Sequence, residues 1–185
     1  MENIQKLRLF YRLKSIERAC TVAQRKESPA EHTWSCLILA DYFLSRMNMT
    51  LDRLKVYELL LYHDVVEIEA GDANLIDVEK RKQKQQLEKK AAQKLKQSFP
   101  FPSNTKFIML FAEFEEGKTM EAKFAKAIDA LDAEIHELDY KEDWKGWTEK
   151  FLREKKEPLF NGFPELKQTF EEIMNYTKEK GYFEQ

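Results

Sequence analysis

Apolar residues recur at helical spacing along nearly the whole chain. Over residues 2–19, Ile4, Leu7, Phe10, Tyr11 and Lys14 fall on successive turns, which predicts a first helix. Ser28-Pro29-Ala30-Glu31 places serine at N-cap, proline at N1 and glutamate at N3. That is a capping box with a proline start, so a second helix begins there and runs to about Met47, with His32 in its first turn. Thr50 is positioned to cap a third helix from Leu51 to about Ala70-Gly71. A loop, Asp72-Ala73-Asn74-Leu75-Ile76, precedes a highly charged segment from Asp77 to about Gln97. The prolines of Phe99-Pro100-Phe101-Pro102 then stop any helix. Further helices are predicted over about 104–115, 119–138, 145–154 and 165–180, separated by Gly117, Pro158, Gly162 and Pro164. No repeat or low-complexity linker interrupts the pattern, and the expectation is a single all-α domain, a helical bundle spanning 1–185.

Composition agrees with that pattern. Five glycines and five prolines in 185 residues are few for a strand-rich fold, and 43% hydrophobic with 35% charged residues suits a globular chain. A net charge of −2 gives no pull toward nucleic acid or membrane. Cys20 and Cys36 make no disulfide framework and read as reduced thiols. The opening Met1-Glu2-Asn3-Ile4-Gln5-Lys6 lacks an apolar signal region. No run approaches the roughly 18 apolar residues of a membrane helix. A cytoplasmic protein is expected, with a small-molecule substrate and neither nucleic acid nor membrane as partner. The basic run from Lys80 to Lys84, continued by Lys89, Lys90, Lys94 and Lys96, has no interleaved aromatics for base stacking. It reads as a solvated helix that flanks the site and attracts anionic nucleotides.

The chemistry is concentrated in Leu59-Leu60-Leu61-Tyr62-His63-Asp64-Val65-Val66-Glu67. A carboxylate beside an imidazole in an apolar run is costly to bury without a strong partner, and a divalent cation is the usual one. His32, and Asp129 in Ala127-Ile128-Asp129-Ala130-Leu131, complete a set of four candidate ligands on three helices. Two imidazoles and two carboxylates leave positions open for water and a substrate oxygen, and a metal lowers the pKa of bound water toward ~7. A metal-dependent hydrolase is the leading reading. The ligand types suit Mn, Co, Zn, Fe, Ni or Mg, so the identity of the ion stays open. Simpler roles are expected for the neighbours: core packing for Cys36, a solvated charge for Asp132, and a surface or supporting place for His136. Trp144, Trp147 and Phe151 read as a core-facing stripe.

In this order, His32, His63-Asp64 and Asp129 follow the pattern of the HD-domain metal phosphohydrolases, and the chain resembles their small 5′-deoxynucleotidase branch. Carrying the resemblance are Glu31-His32 after Ser28-Pro29, the run His63 to Glu67, Gly71-Asp72, and Glu121-Ala122-Lys123-Phe124-Ala125-Lys126-Ala127-Ile128-Asp129. It covers about residues 3–140, which leaves about 141–185 as a helical extension. The resemblance implies one divalent metal held by His32, His63, Asp64 and Asp129. It implies catalytic roles for Glu67 and Asp72, and phosphate binding by Arg18. Lys123 matches a family lysine, and Lys126 near it is a second candidate for the phosphate, against an exposed basic face for both. The implied activity is hydrolysis of (deoxy)nucleoside 5′-monophosphates to nucleoside and phosphate, by a homodimer. Two alternatives stand beside it: another HD phosphohydrolase acting on a triphosphate, alarmone or cyclic dinucleotide, and a noncatalytic HD-fold binding protein. Glu67 and Asp72 favour the monophosphatase, and the four filled ligand positions speak against a scaffold. Ala19 stands where the best-known members carry tryptophan, and Ala73-Asn74-Leu75 lacks a proline common there, so the sugar and base preferences stay open.

Overall fold

The computed structural model describes residues 1–72 and 78–183, the side chains of 78–83 and 85 excepted. The loop expected at Ala73–Ile76 and the start of the charged segment at Asp77 lie outside the described residues. The fold is all-α apart from one small hairpin among the described residues. In chain order the α-helices are α1 (Glu2–Leu7), α2 (Pro29–Leu44), α3 (Arg53–Tyr62), α4 (Glu67–Ala70), α5 (Val78–Ser98), α6 (Ser103–Glu116), α7 (Met120–His136), α8 (Glu149–Lys156) and α9 (Pro164–Glu179). Short 3₁₀ turns link several of them, and β1 (Thr21–Val22) pairs antiparallel with β2 (Arg25–Lys26).

Caps set most helix starts. Ser28 Oγ accepts from Glu31 N–H at 3.3 Å while the Glu31 carboxylate accepts from Ser28 N–H at 2.9 Å, so α2 begins as its sequence predicts. Thr119 caps α7 and Thr148 caps α8 in the same manner. Gly117, at φ 58°, ends α6 in the left-handed region.

Three boundaries differ from the pattern. The helix predicted over 2–19 ends at Leu7 and gives way to a 3₁₀ turn at Phe10–Ser15, because α1 has no buried residue and its periodicity meets no partner. Asp52, not Thr50, caps the third helix, through Lys55 N–H at 3.1 Å. That helix also breaks at His63. The ring Nδ1–H donates to Leu60 O at 2.6 Å, a carbonyl that Asp64 N–H would take in a continuing helix. Tighter bonds follow, Val65 N–H to Tyr62 O and Glu67 N–H to Asp64 O. His63 and Glu67 therefore sit on either side of a turn and not on one helical face.

Helix α7 is the spine. Phe124, Ala125, Ile128 and Leu131 are fully buried on it, packed with Val56, Leu59 and Leu60 of α3 and with Cys36 and Ala40 of α2. Trp144, Leu152, Phe160, Phe163, Phe170 and Met174 from the C-terminal segment enter the same apolar cluster. A second cluster around Phe107 and Phe99 joins α5 and α6 to Leu13, Val65, Val66 and Ile68. The turn carrying His63 and Asp64 lies between these two clusters, which fixes it from both sides.

Candidate active site

Four side chains converge where α2, the His63 turn and α7 meet. His32 Nε2 lies 3.0 Å from Asp129 Oδ1, and His63 Nε2 lies 3.8 Å from the same oxygen. Asp64 reaches in with Oδ1 3.4 Å from His63 Nε2 and Oδ2 4.0 Å from His32 Nε2. Each imidazole is aimed from behind. His32 Nδ1–H donates to Asp132 Oδ2 at 2.9 Å, and that carboxylate also accepts from Ser35 Oγ at 3.2 Å. His63 Nδ1–H is committed to Leu60 O, so the lone pair of Nε2 faces the carboxylates. This buried Nε2 has no hydrogen-bond partner among the described residues. A buried orphan nitrogen between carboxylates is the arrangement a divalent cation satisfies, so the donor set fits a metal.

The charges around it are mutually dependent. Burial works against protonation of His32, yet the neighbouring carboxylates hold its proton well above the usual imidazole range. Asp129 is displaced below the usual carboxylate range, against its partial burial, by the hydrogen bond from His32. Glu67, at the start of α4, is buried with Oε2 unpartnered. Burial, reinforced by Asp64 and Asp72, pushes its carboxyl well above the usual range. Cys36 Sγ stands 3.5 Å from His32 Nε2, and the donor atoms of His32, Cys36, His63 and Asp129 all lie within 4.8 Å of one another. Burial pushes that thiol up to about 12.

A cleft of about 890 Å³ opens on this cluster and is lined by Arg18, Asp64, Glu67, Asp72 and Asp129 among others. Arg18 is fixed on two sides: Nη1 donates to Asp64 Oδ2 and Nε to Glu27 Oε2, both at 3.1 Å. Burial disfavours its charge, but Asp64, Glu67 and Asp129 keep the guanidinium ionised. Asp72 Oδ2 accepts from Ala19 N–H at 3.2 Å, which ties the acidic loop to the Arg18 segment.

Arg18 owes its place to the hairpin, which the sequence did not announce. Its turn has Ala23 at φ 51° where a glycine would have been the signal. Distant side chains hold it: Asp143 accepts from Thr21 N–H at 2.6 Å and from Thr21 Oγ1 at 2.8 Å. His136 Nε2–H donates to Thr21 O at 2.6 Å, which is its supporting role.

Other residues depart from expectation. Asp132 is buried behind His32 and is not a solvated charge; its spacing of three from Asp129 was the available signal. Lys84, from the run read as a solvated face, lines the cleft and is held protonated against its burial by Glu88, Glu67 and Asp64. Trp147 and Phe151 line the cleft as well as packing in the core. Lys123 is exposed on α7, and Lys126 Nζ sits 4.6 Å from the centre of the Phe114 ring. Neither lysine is among the residues that line the cleft.

A helical bundle that gathers H…HD…D ligands at one cleft defines an HD domain. The family model described as HD domain matches residues 10–167, and the chain belongs to that family. Its match runs past residue 140, where the motifs end, in keeping with the tail residues packed into the α7 cluster. Among curated proteins the chain is similar to 5′-deoxynucleotidase HDDC2 of Xenopus laevis, 28% identical over 142 residues, which covers 75% of this chain and 69% of the relative. The human protein of that name is 28% identical over 145 residues, covering 75% and 68%. Among solved structures, the predicted metal-dependent phosphohydrolase from Magnetospirillum magnetotacticum MS-1 superposes with a TM-score of 0.86 at 26% identity, covering 100% of both chains.

Proposed function

We propose that the protein is a metal-dependent phosphomonoesterase that hydrolyses (deoxy)nucleoside 5′-monophosphates to nucleoside and phosphate. The observation that carries this reading is the buried, unpartnered Nε2 of His63, facing Asp64 and Asp129 at the end of a cleft that also holds Arg18 and Lys84. Similarity to 5′-deoxynucleotidases supports the substrate class.

His32, His63, Asp64 and Asp129 would hold one divalent ion, drawn from Mn, Co, Zn, Fe, Ni or Mg. When bound, such an ion supplies an acidified water and polarises a phosphoryl oxygen. The residues of the chain do the rest. Arg18, its Nε and one Nη already directed by Glu27 and Asp64, turns its remaining N–H groups to the phosphate dianion. Lys84 adds a second positive charge. Asp72 accepts the proton of the attacking water. Glu67, kept protonated by burial, gives its proton to the departing 5′-oxygen, so the P–O bond breaks to a neutral nucleoside hydroxyl. Lys123 and Lys126 do not line the cleft, and the phosphate is assigned here to Arg18 and Lys84.

A homodimer is part of the proposal, supported by the exposed stripe of Trp34, Ile38 and Tyr42 on α2. So is a cytoplasmic location; among the described residues no helix is long and apolar enough to cross a membrane.

The test is phosphate release by metal-stripped protein resupplied with Mn²⁺, Co²⁺, Mg²⁺ or Zn²⁺. Its panel holds ribo- and deoxynucleoside 5′-monophosphates, a 3′-monophosphate and a cyclic dinucleotide, with Glu67→Ala as control. Metal-dependent release from the 5′-monophosphates that Glu67→Ala abolishes is expected. Release from the dinucleotide alone, or from nothing with metal bound, overturns the reading.

A further inference from the structure

The cleft extends beyond the charged cluster. From Asp129 its floor continues along α7 through Ala130, Ala133 and Glu134 to Glu137. Eight residues at a rise of 1.5 Å each give about 12 Å, the reach of a nucleotide from its phosphorus to the far edge of its base. Alanine at 130 and 133 keeps that floor low. Trp147 and Phe151 line the same cleft, their ring centroids 5.7 Å apart and their planes inclined at 49°. Trp147 Nε1–H is bound to Asp143 O at 3.2 Å, so the indole offers the slot ring carbon and not a donor.

A buried ion pair stands among the charged side chains of this stretch, which also include Glu137, Glu142, Asp143 and Lys155. Lys156 donates to the Glu134 carboxylate and, at 3.1 Å, to Ala130 O, and the two side chains are only 12% and 4% exposed. Both line the cleft. A largely desolvated ion pair is costly to maintain for stability alone. In the cleft it presents one ammonium donor and one carboxylate acceptor side by side.

We propose that this slot is a nucleobase subsite. Ala130 and Ala133 leave room for the ring, Trp147 and Phe151 give it apolar contact from inclined faces, and the Lys156–Glu134 pair reads the hydrogen-bonding edge. One donor beside one acceptor matches the adjacent carbonyl and N–H of guanine and, taken in the opposite order, the adjacent ring nitrogen and amino group of adenine. The assignment rests on the phosphomonoesterase reading for the phosphate end alone.

Ala133→Leu tests it, since leucine suits a helix nearly as well as alanine and pushes a side chain into the slot from a half-buried position. Phe151→Ala is the second variant, and circular dichroism establishes that each folds. Guanosine and adenosine, both without phosphate, are titrated into metal-free protein with tryptophan emission as readout. In parallel, kcat/KM is compared for guanosine 5′-monophosphate and for ribose 5-phosphate, which lacks a base. Guanosine and adenosine are both expected to bind. Ala133→Leu should raise the guanosine Kd roughly tenfold and lower the nucleotide-to-sugar-phosphate ratio of kcat/KM by a similar factor, the scale of a misfilled pocket. Wild-type guanosine binding in both folded variants, or a parallel fall for the two substrates, overturns the assignment. Guanosine binding that depends on Ala133 in a protein releasing no phosphate would sink the hydrolytic reading and leave the subsite standing.

Discussion

The two ends of the cleft are built on different physics. At one end Arg18, Asp64, Glu67 and Asp129 crowd charge into a buried space, and each side chain is held by the charge or proton of the next. At the other, Trp147, Phe151 and Leu159 from the tail add apolar surface beside charged side chains such as Glu137 and Lys155. The charged end depends on groups whose identity cannot change without leaving a buried charge unpaired. The apolar end depends on volume and shape, which many sequences satisfy. Chemistry therefore leaves a mark in the sequence as named residues at set spacings, while the surface beside it leaves only an amphipathic pattern.

Substitutions probe the difference. The largest effect is expected from His63→Ala, which removes the unpartnered Nε2. Phosphate release should fall to background and bound metal, read by elemental analysis, should be lost; retention of a full metal equivalent would contradict the ligand assignment. Glu67→Gln comes next. Metal stays bound while turnover drops about 10²–10⁴-fold, the usual scale for removing a general acid, and wild-type turnover would shift that role to another group. Asp132→Asn acts one step back, through His32 Nδ1. It should weaken metal binding or activity about 10–100-fold, as losing a ligand-orienting carboxylate does.

At the apolar end, Leu152→Ala removes a fully buried side chain of α8. It should cost about 2–5 kcal/mol in chemical denaturation, within the range for such truncations, while folded protein keeps its metal. A loss of metal at full folding would show that the two ends are not separable.

The smallest effect concerns Glu137, whose carboxyl burial pushes up to about 7, helped by Glu134. An acid with a raised pKa holds its proton more tightly folded than unfolded, so stability falls as pH rises from the ordinary 4.5 toward 7. Glu137→Gln should flatten the melting-temperature profile over that window and gain a few degrees on wild type at pH 8. Parallel profiles would remove Glu137 as the source.

Much of the charged end was legible. The capping box placed His32 in a first turn, and the apolar setting of His63-Asp64 and Asp129 marked them as candidate ligands, which the fold brings together at one cleft. Lys84 and Asp132 were not, because a charged residue in a charged or helical run is solvated by default and only the tertiary fold shows which one turns inward. The break at His63 was hidden for a different reason: a side chain competes with the backbone for Leu60 O, and apolar periodicity carries no record of that. The hairpin lacked a turn glycine and is held by Asp143 and His136, more than 100 residues away in the chain, so no local pattern pointed to it. The tail read as amphipathic helices, but not as a lining of the cleft.

That hairpin works as a buckle. Replacing Asp143 with alanine would leave the candidate metal-facing side chains in place and still remove the acceptor that fastens Thr21 from 122 residues downstream. Arg18, three residues before Thr21, would be the first functional group to drift. A change toward the C-terminal end would thus loosen the segment that carries Arg18, although that arginine lies near the opposite end of the sequence.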